Sequence, residues 1–158
     1  MKSQSLVQFT SIFAAASLAL LLLPATAQVT PEATRSTPGR FQGRGVAQGS
    51  AFTRGRNASV GLTLDRDNFS LDMTEPSNRG ARLQYRGVIS RRNNDANNPN
   101  SFTIDTRVRS FNSSADLRVL NNTTGTCRIE IFDARIISSS CTTVANDSSS
   151  RFMGLEQF

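Results

Sequence analysis

The sequence predicts an all-β fold: an antiparallel meander of eight or nine strands, closed as a small up-and-down barrel in preference to a two-sheet sandwich. Three observations carry this. No helical period runs through any stretch after residue 39, where short runs of alternating apolar and polar residues take over. Clusters of Asn, Ser, Gly, Asp and Pro separate those runs at hairpin intervals. Two of the hairpins also have registers that can be written down from the letters alone.

Ahead of the strands, Lys2 precedes an apolar stretch from Ile12 to Leu23 and a Pro24-Ala25-Thr26-Ala27 ending of the small-x-small kind. This is the pattern of a cleavable secretory signal peptide, expected over residues 1–27. Its apolar core falls short of the roughly 20 residues that span a bilayer. Residues 28–38 carry two prolines and little that is apolar, as expected of a disordered tether, so a single β domain is expected over 39–158. No later segment is long and apolar enough for a transmembrane helix, and the expected address is periplasmic or extracellular.

The first run, 39–52, places Phe41, Gly43, Gly45, Ala47, Gly49 and Ala51 on one face and Arg40, Gln42, Arg44, Gln48 and Ser50 on the other. Small residues at every second position predict a strand whose inner face meets another backbone or bends at a barrel corner. Val60, Leu62 and Leu64 alternate, as do Phe69, Leu71 and Met73. A turn at Arg66-Asp67 pairs positions whose numbers sum to 133, which brings all six onto one face.

In 81–91, Leu83, Tyr85, Gly87 and Ile89 are expected inward; in 101–110, Phe102, Ile104, Thr106 and Val108 are. The RNNDANNPN segment between them reads as a surface loop. A further strand is expected over 115–121 with Leu117 and Val119 inward, then one over 126–132. A hairpin centred on Ala134 makes opposed positions sum to 268, which sets Cys127 opposite Cys141 and Ile131 opposite Ile137. In an exported chain the two cysteines, the chain's full complement, are expected to form a cross-strand disulfide. The run 151–158 is expected to close the sheet and return its terminal aromatic to the core.

Composition removes several chemistries. With no histidine anywhere, Ser-His-Asp and Cys-His arrangements and histidine zinc sites cannot be assembled. No catalytic residue, metal or cofactor is assigned. Asp65, Asp67, Asp72 and Glu75 lie close enough in sequence to suggest the paired carboxylates of glycoside hydrolases, but Asp65 and Asp67 flank or occupy an expected turn, where Asp is common for local backbone reasons, and no enzyme is expected. An EF-type calcium loop counted from Asp65 fails, because Ser70 and Pro76 stand where Gly and Glu are needed. Sequons at Asn57, Asn68, Asn112, Asn121, Asn122 and Asn146 mark polar loops that would accept glycans in a eukaryotic secretory pathway.

The positive signal is arginine. Lys+Arg number 18 against 12 Asp+Glu, and Lys2 is the chain's one lysine, so the expected mature chain has no basic residue but arginine. The guanidinium fork suits phosphate, sulfate and carboxylate. Pairing Leu83 with Val108, and Val108 with Leu117, would set Arg82 opposite Arg109 and Arg107 opposite Arg118, with Asp105, Asp116 and Glu130 near enough to offset part of the charge. Arg82, Arg107, Arg109 and Arg118 are therefore the candidate anion-binding face; the alternative is a solvated charge ladder. Nucleic acid is not expected, since the one tyrosine, Tyr85, is predicted inward and offers no stacking platform.

The stretch from Val60 to Tyr85 resembles the centre of the periplasmic c-type lysozyme inhibitors, in which an apolar hairpin leads to a Ser-Gly-Ala-Arg-Tyr loop. The corresponding residues are Ser77, Asn78, Arg79, Gly80, Ala81, Arg82, Leu83, Gln84 and Tyr85. The resemblance implies a small disulfide-bearing barrel and marks Ser77, Asn78, Arg79, Gly80 and Arg82 as a candidate protein-contact loop. The expectation is thus an exported, non-enzymatic β-domain that binds an anionic envelope component or an acidic protein. Alternatives are a periplasmic inhibitor or assembly factor, and a carrier of a small apolar ligand, which requires an internal cavity of roughly 300 Å³ or more. Oligomeric state is left open.

Overall fold

A computed structural model describes residues 39–52, 55–77, 80–115, 117–145 and 148–155. The expected leader and tether, together with Asn78, Arg79, Asp116, Asn146 and Phe158, lie outside the described residues. Nine strands follow in order: β1 (Gly39–Gly49), β2 (Arg56–Asp65), β3 (Asn68–Thr74), β4 (Arg82–Asn94), β5 (Phe102–Ser113), β6 (Arg118–Leu120), β7 (Gly125–Phe132), β8 (Arg135–Thr143) and β9 (Ser150–Gly154). Eight of them close an antiparallel barrel, running β1 to β5, then β7, β8 and β9, which returns to β1; β6 is an extra strand on the outer end of β5. The barrel class predicted from alternation is the one formed.

The β2–β3 hairpin has the expected register, pairing Leu64 with Phe69, Leu62 with Leu71 and Val60 with Met73, and all six side chains are buried. Along β1 the small residues face inward where the strand crosses from one neighbour to the next. Residues 45–49 pair with β9, and beyond the end of β9 a single bridge joins Gln42 to Arg135 of β8. A Cβ on Gly45 would collide with the Met153 carbonyl oxygen and one on Gly43 with that of Ile136. The glycines are what let β1 approach both strands at the closure.

Cys127 and Cys141 are directly opposed, with Cα atoms 4.1 Å apart, and form the disulfide. Their register does not extend to the turn. A bulge between Glu130 and Ile131 sets Ile131 opposite Ile136, not Ile137. The extra residue lets the hairpin close through a two-residue turn at Asp133-Ala134, both at positive φ (47° and 61°), the twist that suits tight antiparallel ribbons.

Two other expectations are corrected. Leu83 pairs with Ser113 instead of Val108, because β4 continues through Asn94 and two bulges shift its pairing with β5. The connecting loop is therefore shorter than RNNDANNPN, and Asp95 and Asn98 hold it by accepting from the backbone N–H groups of Asn97 and Asn100. Leu117 and Val119 point outward, 91% and 61% exposed. Leu117 sits in the left-handed region at φ 49°, so β6 enters one residue out of phase and Leu120 packs on the core instead.

Fully buried Tyr85, Phe52, Phe111 and Phe152 fill the barrel together with Leu62, Leu71, Met73, Leu83 and Ile129. The Tyr85 hydroxyl donates to the Ser148 carbonyl (2.6 Å) and lies 2.9 Å from Ser150 Oγ, while its ring packs on Phe111. Burial pushes its pKa up to about 12. An interior occupied in this way lends no support to an apolar carrier.

Candidate anion-binding face

Side chains on the outside of β1 to β4 fall into rows set by three registers. One row runs Arg44, Ser59, Thr74, Arg82; the next Gln42, Gly61, Asp72, Gln84; the third Arg40, Thr63, Ser70, Arg86. Arginines hold all four corners and small or polar residues hold everything between. None of the four side chains makes an ion pair among the described residues. Arg135, next to Gln42 across the β1–β8 bridge, adds a fifth guanidinium at the border.

Corner positions are well separated. Arg40 and Arg44 are four strand residues apart, roughly 13 Å, and β1 lies three strand spacings from β4, roughly 14 Å. Between them Asp72 is braced: Gln84 Nε2 donates to Oδ1 at 2.6 Å and Ser70 Oγ to Oδ2 at 3.4 Å. The centre of the frame thus carries a negative charge and its rim a positive one. At the β1 side an open groove of about 1440 Å³ runs between this face and the β7–β8 turn, lined by Arg40, Gln42, Arg44, Arg82, Phe132 and Arg135 among others. Phe132 and Leu155 stand 53% and 66% exposed along it.

The arginine face read from the sequence is not assembled as expected. Arg82 lies opposite Thr74, not Arg109, and its backbone N–H donates to Ser114 Oγ. Arg107 lies between Val88 and Thr126; Arg118 pairs with Ser113 near the far end of β5; Arg109 is the extra residue of a bulge. The five-residue slip between β4 and β5 is the cause. Asp105 and Glu130, expected to offset that cluster, both contact Arg128, at 3.4 Å each. Of the four candidates, Arg82 alone joins the frame on β1 to β4.

Of the candidate protein-contact loop, Ser77, Gly80 and Arg82 are described. The connection is tied internally: Gly80 N–H donates to the Ser77 carbonyl and Glu75 N–H to the Ala81 carbonyl. Glu75 is held from two sides, by the Ala81 N–H at 3.2 Å and by Arg56 at 2.9 Å. The Ala81 N–H first, and the Arg56 guanidinium with it, keep its carboxyl below the ordinary glutamate value. A carboxylate committed in this way braces the loop and is a poor proton donor. Elsewhere Arg92 covers the Phe102 ring, its guanidinium carbon 3.8 Å from the centroid, and Phe102 meets Phe41 edge-on.

Arg40, Arg44, Arg86 and Arg135 are the residues that sequence reasoning did not gather. Arg40 and Arg44 are legible as outward on β1, and the β2–β3 register follows from alternation. The signal that sequence lacks is that β1 pairs with β2 through positions summing to 103 and β3 with β4 through positions summing to 156. No protein-family model, curated protein or solved structure matches this chain.

Proposed function

We propose that this is an exported, non-enzymatic β-barrel that binds an acidic partner, an anionic envelope component or an acidic protein, through the arginine frame on the outside of β1 to β4. The observation that carries the reading is the frame itself: Arg40, Arg44, Arg82 and Arg86, outward on a floor of small polar residues, with no ion pair among the described residues. Four guanidinium groups with no ion pair among the described residues can each engage carboxylate, sulfate or phosphate through paired hydrogen bonds. A formal net charge of +6 at pH 7, or +5 once a leader carrying Lys2 is removed, adds long-range attraction for such a ligand. The Cys127–Cys141 disulfide supports export, since such bonds persist in oxidising compartments.

Retention on a sulfated matrix tests this. The protein should bind at low ionic strength and elute with salt. Replacing both Arg40 and Arg44 by Ala should move elution to clearly lower salt, and replacing Arg107 and Arg109 should move it less. Unchanged elution of the first variant would remove the frame from the proposal.

A further inference from the structure

We infer that the ligand of this face is an acidic polysaccharide, a glycan chain bearing carboxylate or sulfate groups, laid in the groove between β1 and the β7–β8 turn. The inference rests on the anionic-ligand reading and deepens it. Its first support is spacing. Corner arginines roughly 13–14 Å apart do not converge on one small anion, and Asp72 repels an anion from the middle of the frame. Charges must therefore be presented at intervals along an extended molecule. The groove, about 1440 Å³, also exceeds the roughly 300–1,000 Å³ typical of small-ligand pockets.

The second support is the chemistry between the charges. Gln42, Ser59, Gly61 and Thr74 line the groove with amide, hydroxyl and bare backbone, which suit a ligand rich in hydroxyl groups, and the Asp72 and Asp133 carboxylates of the same lining can accept from those hydroxyls. Phe132, half-exposed beside Arg135 on the same groove, offers an apolar plane against which one face of a sugar ring can lie while its acidic substituent meets the guanidinium. The rows from Arg44 to Arg82 and from Arg40 to Arg86 contain no aliphatic or aromatic side chain. Phe132 and Leu155, exposed along the groove, are too few to insert into a lipid surface, and a single-stranded nucleic acid would want a series of stacking rings. A protein partner would take Phe132 as its anchor, and that alternative predicts no binding of a glycan.

Calorimetric titration of the full chain with a six-residue polygalacturonate, with dextran sulfate and with inorganic polyphosphate provides the test. The expected result is binding of at least one acidic glycan. That binding should weaken about tenfold on Phe132→Ala, the size of a lost aromatic contact, and again on Arg44→Gln, while Arg107→Gln leaves it unchanged. Preference between polygalacturonate and dextran sulfate then assigns carboxylate or sulfate. If polyphosphate binds as tightly as both glycans and Phe132→Ala changes nothing, the polysaccharide inference is overturned and the arginine frame stands. If none of the three polymers binds, both fall.

Discussion

Tyr85 is the chain's one tyrosine, and its surroundings make alkaline stability a direct reading of how well the barrel is sealed. In the folded protein burial raises the phenol from its ordinary value of 10.0 to about 12. Folding therefore favours the protonated form. The stability tied to this group is complete below the unfolded pKa, near 10, and is lost as pH rises toward the folded one, near 12. Two pKa units at 1.36 kcal/mol each amount to about 2.7 kcal/mol at the upper end. Histidine is absent, both cysteines are disulfide-bonded, and Lys2 lies outside the described residues, so no described histidine, thiol or lysine titrates in that window. Urea unfolding followed by circular dichroism at intervals from pH 9 to 12 should show stability falling by up to about 1.4 kcal/mol per pH unit. Phenolate absorbance of the folded protein should rise near pH 12, not near 10. Tyr85→Phe should be less stable at pH 8 by about 1–3 kcal/mol, because the buried Ser148 carbonyl loses its donor. It should also lose the alkaline slope. A phenolate that forms near pH 10 in the folded state, or a phenylalanine variant with an unchanged slope, would refute the reasoning.

Two further outcomes concern strand pairs within the barrel. Reduction of Cys127–Cys141, which closes a loop of 14 residues' separation, should cost about 3 kcal/mol; at an m-value of about 2 kcal/mol/M the urea midpoint falls by about 1.5 M, and a midpoint insensitive to reductant would contradict the staple role. Gly87→Ala places a methyl group against the Arg107 carbonyl oxygen on β5 and should destabilise by about 1–3 kcal/mol in the same assay, whereas Gly61→Ala, where a Cβ meets nothing within 4 Å, should change stability much less.

The two hairpins that could be written from the letters differ in how far they held. Between β2 and β3 a two-residue turn leaves a single register consistent with six apolar residues on one face, and that register formed. Between β7 and β8 the cysteines anchored the pairing at one point, but the bulge at Glu130 and Ile131 depends on backbone twist near the turn, which alternation does not encode. The β4–β5 ribbon shows the same limit over a longer loop. Polar Asn93 and Asn94 extend β4 because their partners Thr103 and Phe102 are already positioned by β7, a contact more than 25 residues away in sequence.

From sequence by itself follow the all-β class, the inward and outward faces of β1, β2, β3 and the first half of β5, the cysteine pairing and the absence of histidine chemistry. Each depends on period-two alternation or on composition, which are local. The arginine frame was decided by tertiary structure: its corners lie on β1 and β4, and they share a face only because β2 and β3 intervene at particular offsets. A slip of a few residues between strands leaves the local pattern nearly intact while moving every outward charge to a new neighbour. For that reason Arg82 entered the frame and Arg107, Arg109 and Arg118 did not.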